Sequence, residues 1–149
     1  MSETASTMLP LGTRAPGFTL PDSAGKLVSL DDFKDVGALL VVFVCNHCPY
    51  VKHIQKEFVS LAKQYQARGV GVVAISSNDV GNYPQDGPEK MAEESRQAGY
   101  TFPYLYDETR KWPRPTRLLA PRIYFSLIRT TASCTGDSLM TAGPGTRVR

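Results

Sequence analysis

Two cysteines separated by two residues, Cys45 and Cys48, are the side chains in this sequence with the clearest potential for chemistry. A C-x-x-C pair can exchange its two thiols for a disulfide: one cysteine attacks a substrate disulfide and the other releases the product. We predict that Cys45 is the attacking nucleophile and that Cys48 is the resolving thiol. The alternative is that both are small buried apolar residues, a role for which cysteine is also well suited.

The pair lies where a predicted strand meets a predicted helix. Residues 38–44 form a short uncharged run rich in β-branched types, which is typical of a buried strand. From about Cys48 to Ala67, apolar residues recur every three or four positions, which indicates one buried helical face. The free N–H groups and the dipole at a helix N-terminus stabilise a thiolate. We therefore expect the Cys45 pKa to fall from about 8.5 into a range of roughly 3.5 to 7.5.

Neighbouring residues are expected to adjust this pair. His47 lies between the cysteines and Lys52 lies one turn beyond them, so the positive charge of each could lower the Cys45 pKa. Pro49 fits the first helical turn and is expected to position the thiols.

An alternative zinc site would use Cys45, Cys48, His47 and His53. No second C-x-x-C pair accompanies them, so no metal and no organic cofactor is predicted.

The flanking segments predict a single α/β domain. Residues 70–75 are predicted to be a second buried strand, which completes a β-α-β unit with parallel strands. A second helix is predicted from Pro88 to Ala98, and residues 102–106 form a further short extended segment. Residues 1–12 are polar and lack periodicity, which indicates a flexible N-terminal arm.

The net charge of +3 is unevenly distributed over the 149 residues. Residues 1–110 carry ten basic and thirteen acidic side chains, whereas residues 111–149 carry seven basic side chains and one acidic. This basic tail, with Trp112 and Tyr124 as stacking residues, leaves a nucleic-acid-binding protein without enzymatic activity as an alternative. No secretory signal pattern and no membrane-spanning apolar run is present in the sequence. A cytoplasmic location is therefore predicted, with no membrane and no nucleic-acid partner.

Two stretches resemble the alkyl hydroperoxide reductase/thiol-specific antioxidant (AhpC/TSA) family, a peroxiredoxin-like branch of the thioredoxin superfamily. One is APGFTLPDSAGK at residues 15–26, and the other is VCNHCPYVKH at residues 44–53. The resemblance implies a thioredoxin-like α/β fold over residues 13–110, with a mainly parallel central sheet flanked by helices. It also implies an antioxidant-type oxidoreductase with a Cys45–Cys48 redox pair, a disulfide or peroxide substrate and an external dithiol reductant.

The resemblance leaves two activities open, namely thiol–disulfide exchange and peroxiredoxin-type reduction of hydroperoxides. Peroxiredoxins carry the pattern P-x-x-x-T-x-x-C, in which the proline and threonine position the peroxide. Aligned on Cys48, those positions hold Val41 and Cys45. Aligned on Cys45, they hold Ala38 and Val42. Since neither alignment supplies these residues, a thiol–disulfide oxidoreductase is the preferred prediction.

Residues 111–149 form an atypical basic tail that departs from the family pattern. The family continues with an X-cis-Pro loop, a strand hairpin and a closing helix, and we expect this hairpin and helix to be missing or replaced here. One interpretation is a frameshift after Arg110. Codons for residues 111–116, read one base earlier, can encode Glu-Val-Ala-Lys-Ala-Tyr, and further codons can encode two alternating apolar runs. The two predicted parallel strands would then lack a neighbour, which favours aggregation. Alternatively, Ala120-Pro121 and residues 123–128 could mimic the missing X-cis-Pro loop and strand, and the sequence leaves both outcomes open.

Overall fold

The computed structural model describes residues 13–14, 17–109, 124–129 and 138–142. These residues form strands, two α-helices and two short 3-10 turns, at Leu30–Phe33 and Pro84–Asp86. In chain order the strands and helices are β1 (Thr13–Arg14), β2 (Thr19–Pro21), β3 (Leu27–Ser29), β4 (Ala38–Phe43), α1 (Pro49–Gln66), β5 (Val70–Ser76), α2 (Pro88–Ala98), β6 (Tyr104–Tyr106), β7 (Tyr124–Arg129) and β8 (Ser138–Ala142).

The predicted β-α-β unit is confirmed. β4 and β5 are parallel, with Val41 opposite Val73, and α1 connects them. Pro49 is the first residue of α1, where its missing N–H costs no helical hydrogen bond. The helix ends at Gln66, shortly before Gly69, whose φ of 82° is rarely adopted by residues with a side chain. The predicted helix therefore agrees with the structure to within one residue at each end.

The main sheet has six strands in the order β1-β8-β7-β4-β5-β6. β4, β5 and β6 form its parallel part, and the strands β7, β8 and β1 add an antiparallel part on the other side of β4. The separate β2–β3 hairpin lies over one face. Because parallel strands end at the same edge of a sheet, the segments that follow β4 and β5 lie side by side.

The β7–β8 hairpin decides between two outcomes that the sequence left open for the tail. β4 could have kept an unpaired edge, but β7 pairs with it from Leu39 opposite Ile128 to Phe43 opposite Tyr124. β4 is therefore bonded on both sides, and β5 lies between β4 and β6. The aromatic and β-branched residue types within 124–129 favour such pairing. The predicted arm at residues 1–12 lies outside the described residues, and the frameshift interpretation stays a prediction.

The sheet carries an apolar layer on each face, because successive side chains along β4 and β5 point to opposite sides. The layer under the β2–β3 hairpin consists of Phe18, Val28, Leu39, Val41, Val73, Ile75 and Leu105. The layer under α1 and α2 consists of Val42, Phe58, Ala62, Val72, Ala74, Met91, Phe102 and Tyr104. β4 and β5 are covered on both faces, which explains their uninterrupted apolar sequences.

The second predicted helix is confirmed as α2. Its N-terminal residue is Pro88, and Met91 is the residue that it buries completely against the sheet. The helix ends before Gly99, whose φ of 70° gives the left-handed turn common at helix C-termini. Within the described ranges, neither helix has the length and apolar character that crossing a bilayer requires.

Candidate active site

The two cysteines lie at the sheet edge where β4 ends. Val44 donates its N–H to the Ile75 carbonyl (3.0 Å), and the chain then turns away from β5 into α1. Cys48 is the N-cap of α1, and its carbonyl accepts the Lys52 N–H (3.1 Å). Cys45 and Cys48 are 4% and 6% exposed, and neither is in a disulfide. The predicted junction of strand, C-x-x-C and helix is confirmed.

The environment of the Cys45 thiol differs from the expected one. Burial raises the pKa of Cys45 from 9.0 to about 11, and the charges of Asp86 and Cys48 contribute to the increase. Hydrogen bonds from the Cys48 backbone N–H and the Asn78 side chain act in the opposite direction. The predicted lowering of the pKa is therefore wrong for this structure, because desolvation and a nearby carboxylate outweigh the donors at the helix start.

Asp86 is a fully buried residue beneath the C-x-x-C turn, at the end of the 3-10 turn that follows β5. Its Oδ1 accepts the consecutive N–H groups of Asn46 (2.7 Å) and His47 (3.3 Å). Successive backbone amides of this kind form an anion-binding concavity. Its Oδ2 accepts the side-chain amide of Asn78 (2.9 Å) and contacts His47 Nδ1 (2.5 Å). One carboxylate therefore fixes both the backbone of the turn and the histidine ring.

Asn46 connects the turn to two further segments. Its Nδ2 donates to the Gln85 carbonyl (2.8 Å), and its Oδ1 accepts the hydroxyl of Tyr104 on β6 (3.0 Å). Burial, together with neighbouring groups that include Asp86, raises the Tyr104 pKa well above its usual value. The hydroxyl therefore keeps its proton and serves as a donor to Asn46.

His47 lies beside the thiols, as the sequence predicts, and its ring contacts Asp86 through Nδ1. The ring stacks on Tyr83, with centroids 4.5 Å apart and an interplanar angle of 1°. A His47 ring nitrogen, Cys45 Sγ and an Asp86 carboxylate oxygen lie within 4.8 Å of one another. His47 is partly exposed, so it links the buried carboxylate to the surface next to the thiol.

Lys52 makes a different contact from the predicted one. Its ammonium forms an ion pair with Glu94 on α2, and Gln55 Nε2 donates to the same carboxylate (2.6 Å). Lys52 is not among the groups that shift the Cys45 pKa. The predicted influence of Lys52 on the thiol is therefore not supported. His53, the other histidine of the chain, is exposed on α1.

The atoms of Cys45, His47 and Asp86 are also of the types that bind zinc. Both Asp86 oxygens are, however, occupied by protein donors, and the 2.5 Å contact of His47 Nδ1 with Oδ2 leaves no space for an ion between them. His53 is not part of this cluster. The geometry favours a hydrogen-bonded network over a metal centre.

The sequence profile of the AhpC/TSA family matches residues 11–131, which is most of the chain. The chain belongs to the AhpC/TSA family. The match extends past Arg110, the point at which the resemblance was judged to end from sequence. It includes the C-x-x-C turn, the loop that carries Asp86, and β7.

Two sequence relatives illustrate the range of the family. A candidate peroxiredoxin of Mycobacterium tuberculosis is 32% identical over 108 residues, which are 72% of this chain and 64% of that protein. The chain thus spans under two thirds of the length of this relative. The thiol-disulfide oxidoreductase ResA of Bacillus subtilis is 31% identical over 107 residues, which are 67% of this chain and 51% of ResA.

Solved structures establish the thioredoxin-like fold. An uncharacterized conserved protein of Geobacillus kaustophilus superimposes with a TM-score of 0.79 at 38% identity, covering 100% of this chain and 79% of that one. The thioredoxin domain of a thiol-disulfide oxidoreductase from Bacteroides vulgatus superimposes with a TM-score of 0.65 at 17% identity, covering 87% of this chain and 88% of that domain. The second similarity concerns the fold alone.

Asp86 and its partners Asn46 and Asn78 in this AhpC/TSA domain were not predicted from the sequence. Asp86 lies 40 residues after Asn46, so no local spacing connects it with the cysteines. One signal was available. Asp86 lies between Pro84 and Pro88 in the loop after a buried strand, and that strand ends at the same sheet edge as the C-x-x-C turn.

Proposed function

We propose that this protein is a thiol–disulfide oxidoreductase in which Cys45 and Cys48 alternate between two thiols and one disulfide. The observation that carries the proposal is the placement of both cysteines in the turn between β4 and α1, with Cys48 as the N-cap of the helix. Both side chains are buried in this one turn, where each is close in sequence to the residue with which it would form the disulfide. Membership of the AhpC/TSA family and the similarity to ResA support the same chemistry.

The exchange follows from the two thiols. The Cys45 thiolate attacks one sulfur of a substrate disulfide and forms a mixed disulfide, while the other substrate sulfur leaves as a thiol. Cys48 then attacks the Cys45 sulfur, which releases the second substrate thiol and leaves the Cys45–Cys48 disulfide. Two electrons pass from the protein to the substrate, and an external dithiol reductant returns them.

The test is to trap the mixed disulfide. The third cysteine of the chain, Cys134, is first replaced by serine so that Cys45 and Cys48 are the remaining thiols. The reduced protein is then treated with glutathione disulfide and analysed by peptide mass spectrometry. The parent protein should form the Cys45–Cys48 disulfide, and Cys48→Ser should accumulate glutathione on Cys45, because the resolving thiol is absent. Cys45→Ser should not accumulate it on Cys48. Failure of Cys48→Ser to trap glutathione on Cys45 would show that the proposal is wrong.

Peroxidase activity is the second candidate, and the similarity to the M. tuberculosis candidate peroxiredoxin is the observation that favours it. The missing proline and threonine of the peroxiredoxin pattern count against it. Hydrogen peroxide consumption by the reduced protein, compared with free cysteine at the same thiol concentration, separates the two. A rate far above that of free cysteine would reverse the ranking.

The partners follow from this proposal as predictions. A disulfide substrate and an external dithiol reductant are required by the electron balance, whereas no nucleic acid, metal or organic cofactor takes part in it. A cytoplasmic location also stays a prediction. It is checked by fractionation of cells that express the full chain.

A further inference from the structure

The exchange reaction requires Cys45 to lose a proton beside a buried carboxylate. With a pKa of about 11, the Cys45 thiol in the folded protein is ionised to only about one part in 10,000 at pH 7. Simple ionisation would place a second negative charge close to Asp86 in a buried site. A transfer of the proton to a neighbouring base would avoid this, because the base becomes positive as the sulfur becomes negative.

His47 has the geometry of such a base. Its Nδ1 lies 2.5 Å from Asp86 Oδ2, so a carboxylate acceptor keeps the ring proton on Nδ1 and leaves the lone pair on Nε2. The parallel stack on Tyr83 fixes the plane of the ring. A His47 ring nitrogen lies within 4.8 Å of Cys45 Sγ, so the imidazole lies beside the thiol that must lose its proton.

We propose that Asp86 is a positioning residue that makes His47 the proton acceptor of Cys45. The inference rests on the thiol–disulfide function proposed above and assigns a role to the buried Asp86–His47 contact. Asp86 holds the imidazole through Nδ1 and stabilises the imidazolium that forms. The reactive state is then a Cys45 thiolate beside a His47 imidazolium, with the same total charge as the resting state.

The proton and electron balance is complete. The proton of Cys45 Sγ passes to the His47 ring, and the thiolate uses its electron pair to form the mixed disulfide. The departing substrate sulfur takes the electrons of the broken S–S bond, and the imidazolium returns the proton to it. No oxidant enters besides the substrate disulfide.

The other titratable groups around Cys45 do not fill this role. Among the residues that the structure describes, those that face it are Asp86 from the loop after β5, Cys48 at the start of α1, His47 within the turn and Tyr104 on β6. Cys48 and Tyr104 are acids that become negative when they lose a proton. Asp86 accepts contacts from Asn46, Asn78 and His47 on its two oxygens, so a proton there would displace one of these donors.

The test measures the pH dependence of Cys45 alkylation by iodoacetamide in the reduced protein. Peptide mass spectrometry separates Cys45 from Cys48, and Cys134→Ser is the background. The variants are His47→Gln, Asp86→Asn and the double variant. His53→Gln is the matched control, because His53 is the exposed second histidine of the chain.

The proposal predicts a profile with two rises in the parent protein and in His53→Gln. The first rise marks formation of the thiolate–imidazolium pair, and the second marks full ionisation at alkaline pH. His47→Gln should retain only the alkaline rise. Asp86→Asn should slow alkylation at pH 7 by about tenfold when His47 is present, because the imidazolium loses its carboxylate.

The effect of Asp86→Asn on the rate of Cys45 alkylation should change direction when His47 is absent. In the His47→Gln background, Asp86→Asn should accelerate alkylation by about tenfold, because it removes a negative charge that opposes the thiolate. A purely structural role of Asp86 would move both backgrounds in the same direction, and that result would overturn the proposal. A His47→Gln profile that keeps both rises would also overturn it, even if Asp86→Asn does not fold.

Failure of this inference is distinguishable from failure of the proposed function. Alkylation of Cys45 requires neither a Cys45–Cys48 disulfide nor a substrate disulfide. A chain that traps no mixed disulfide still yields an alkylation profile. Conversely, a protein that exchanges disulfides but shows only the alkaline rise in its Cys45 alkylation profile would keep the proposed function. The proposed role of the Asp86–His47 contact would then be wrong.

Discussion

Two contacts between a basic and an acidic side chain in this molecule have similar lengths and opposite surroundings. His47 Nδ1 and Asp86 Oδ2 are 2.5 Å apart, and the side chains are 21% and 0% exposed. Lys90 Nζ and Glu93 Oε2 are 2.8 Å apart on α2, and those side chains are 62% and 45% exposed. The first contact joins segments 39 residues apart, whereas the second joins neighbours on one helix.

The difference shows that surroundings, more than contact distance, decide what such a pair does. Each of Lys90 and Glu93 shifts the pKa of the other toward the charged form, but water replaces either partner at little cost. Water cannot replace Asp86 in the same way. Its removal leaves the N–H groups of Asn46 and His47 buried without an acceptor. The buried contact is therefore expected to matter for stability, and the exposed contact is not.

The largest expected effect is that of Asp86→Ala. This variant should lower the free energy of unfolding by about 3–5 kcal/mol, because several buried donors lose their acceptor at once. Urea unfolding of the reduced protein measures the change. Glu93→Ala is the matched control and should show no measurable change. Equal losses in the two variants would break the distinction between the buried and the exposed contact.

A second, smaller effect concerns the pH dependence that Asp86 and burial impose on Cys45. The folded-state pKa of about 11 lies above the ordinary value of 9.0, so the folded state binds the thiol proton more tightly. This contribution to stability is fully present below pH 9 and is lost as the pH rises through 11. Two pKa units correspond to at most about 3 kcal/mol.

Cys45→Ala isolates this contribution, because the lysines and tyrosines that titrate in the same range are shared with the parent protein. Urea unfolding of both proteins at pH 8 and pH 11, with reductant, gives the comparison. The parent protein should lose more stability than Cys45→Ala between these pH values. Parallel losses would mean that Cys45 titrates as an ordinary exposed thiol.

The same contrast between local and distant contacts decides what the sequence could predict. The helices α1 and α2 and the strands β4 and β5 are encoded by periodicity within a few residues, so their positions were predicted nearly to the residue. Pro49 at the start of α1 is likewise a local signal. The placement of His47 next to Cys45 follows from the C-x-x-C turn itself.

The chemistry under the turn was not predictable in this way. The pKa of Cys45 depends on burial and on Asp86, which the sequence separates from it by about 40 residues and which only the fold brings close. The ion pair of Lys52 with Glu94 depends on how α1 and α2 pack, and this contact gives the expected influence of Lys52 on the thiol no support. Pairing of β7 with β4 is a distant contact too, and the sequence left it undecided.

The smallest expected effect is that of Tyr104→Phe, which removes one neutral hydrogen bond from the same buried network. Asn46 Oδ1 then loses its donor while the ring of residue 104 still fills the layer under α1. The free energy of unfolding should fall by about 1 kcal/mol, as for a single buried hydrogen bond. Tyr50→Phe is the matched control, since Tyr50 is 71% exposed, and it should leave stability unchanged.

The loss in free energy of unfolding for Tyr104→Phe should lie between the losses for Glu93→Ala and Asp86→Ala. A loss as large as that of Asp86→Ala would mean that the shape of the network, rather than the buried charge, sustains the turn. No loss at all would mean that water reaches Asn46 and that the site beneath Cys45 is more accessible to solvent than its burial indicates. Only an intermediate loss agrees with a dry site in which the carboxylate is the dominant acceptor.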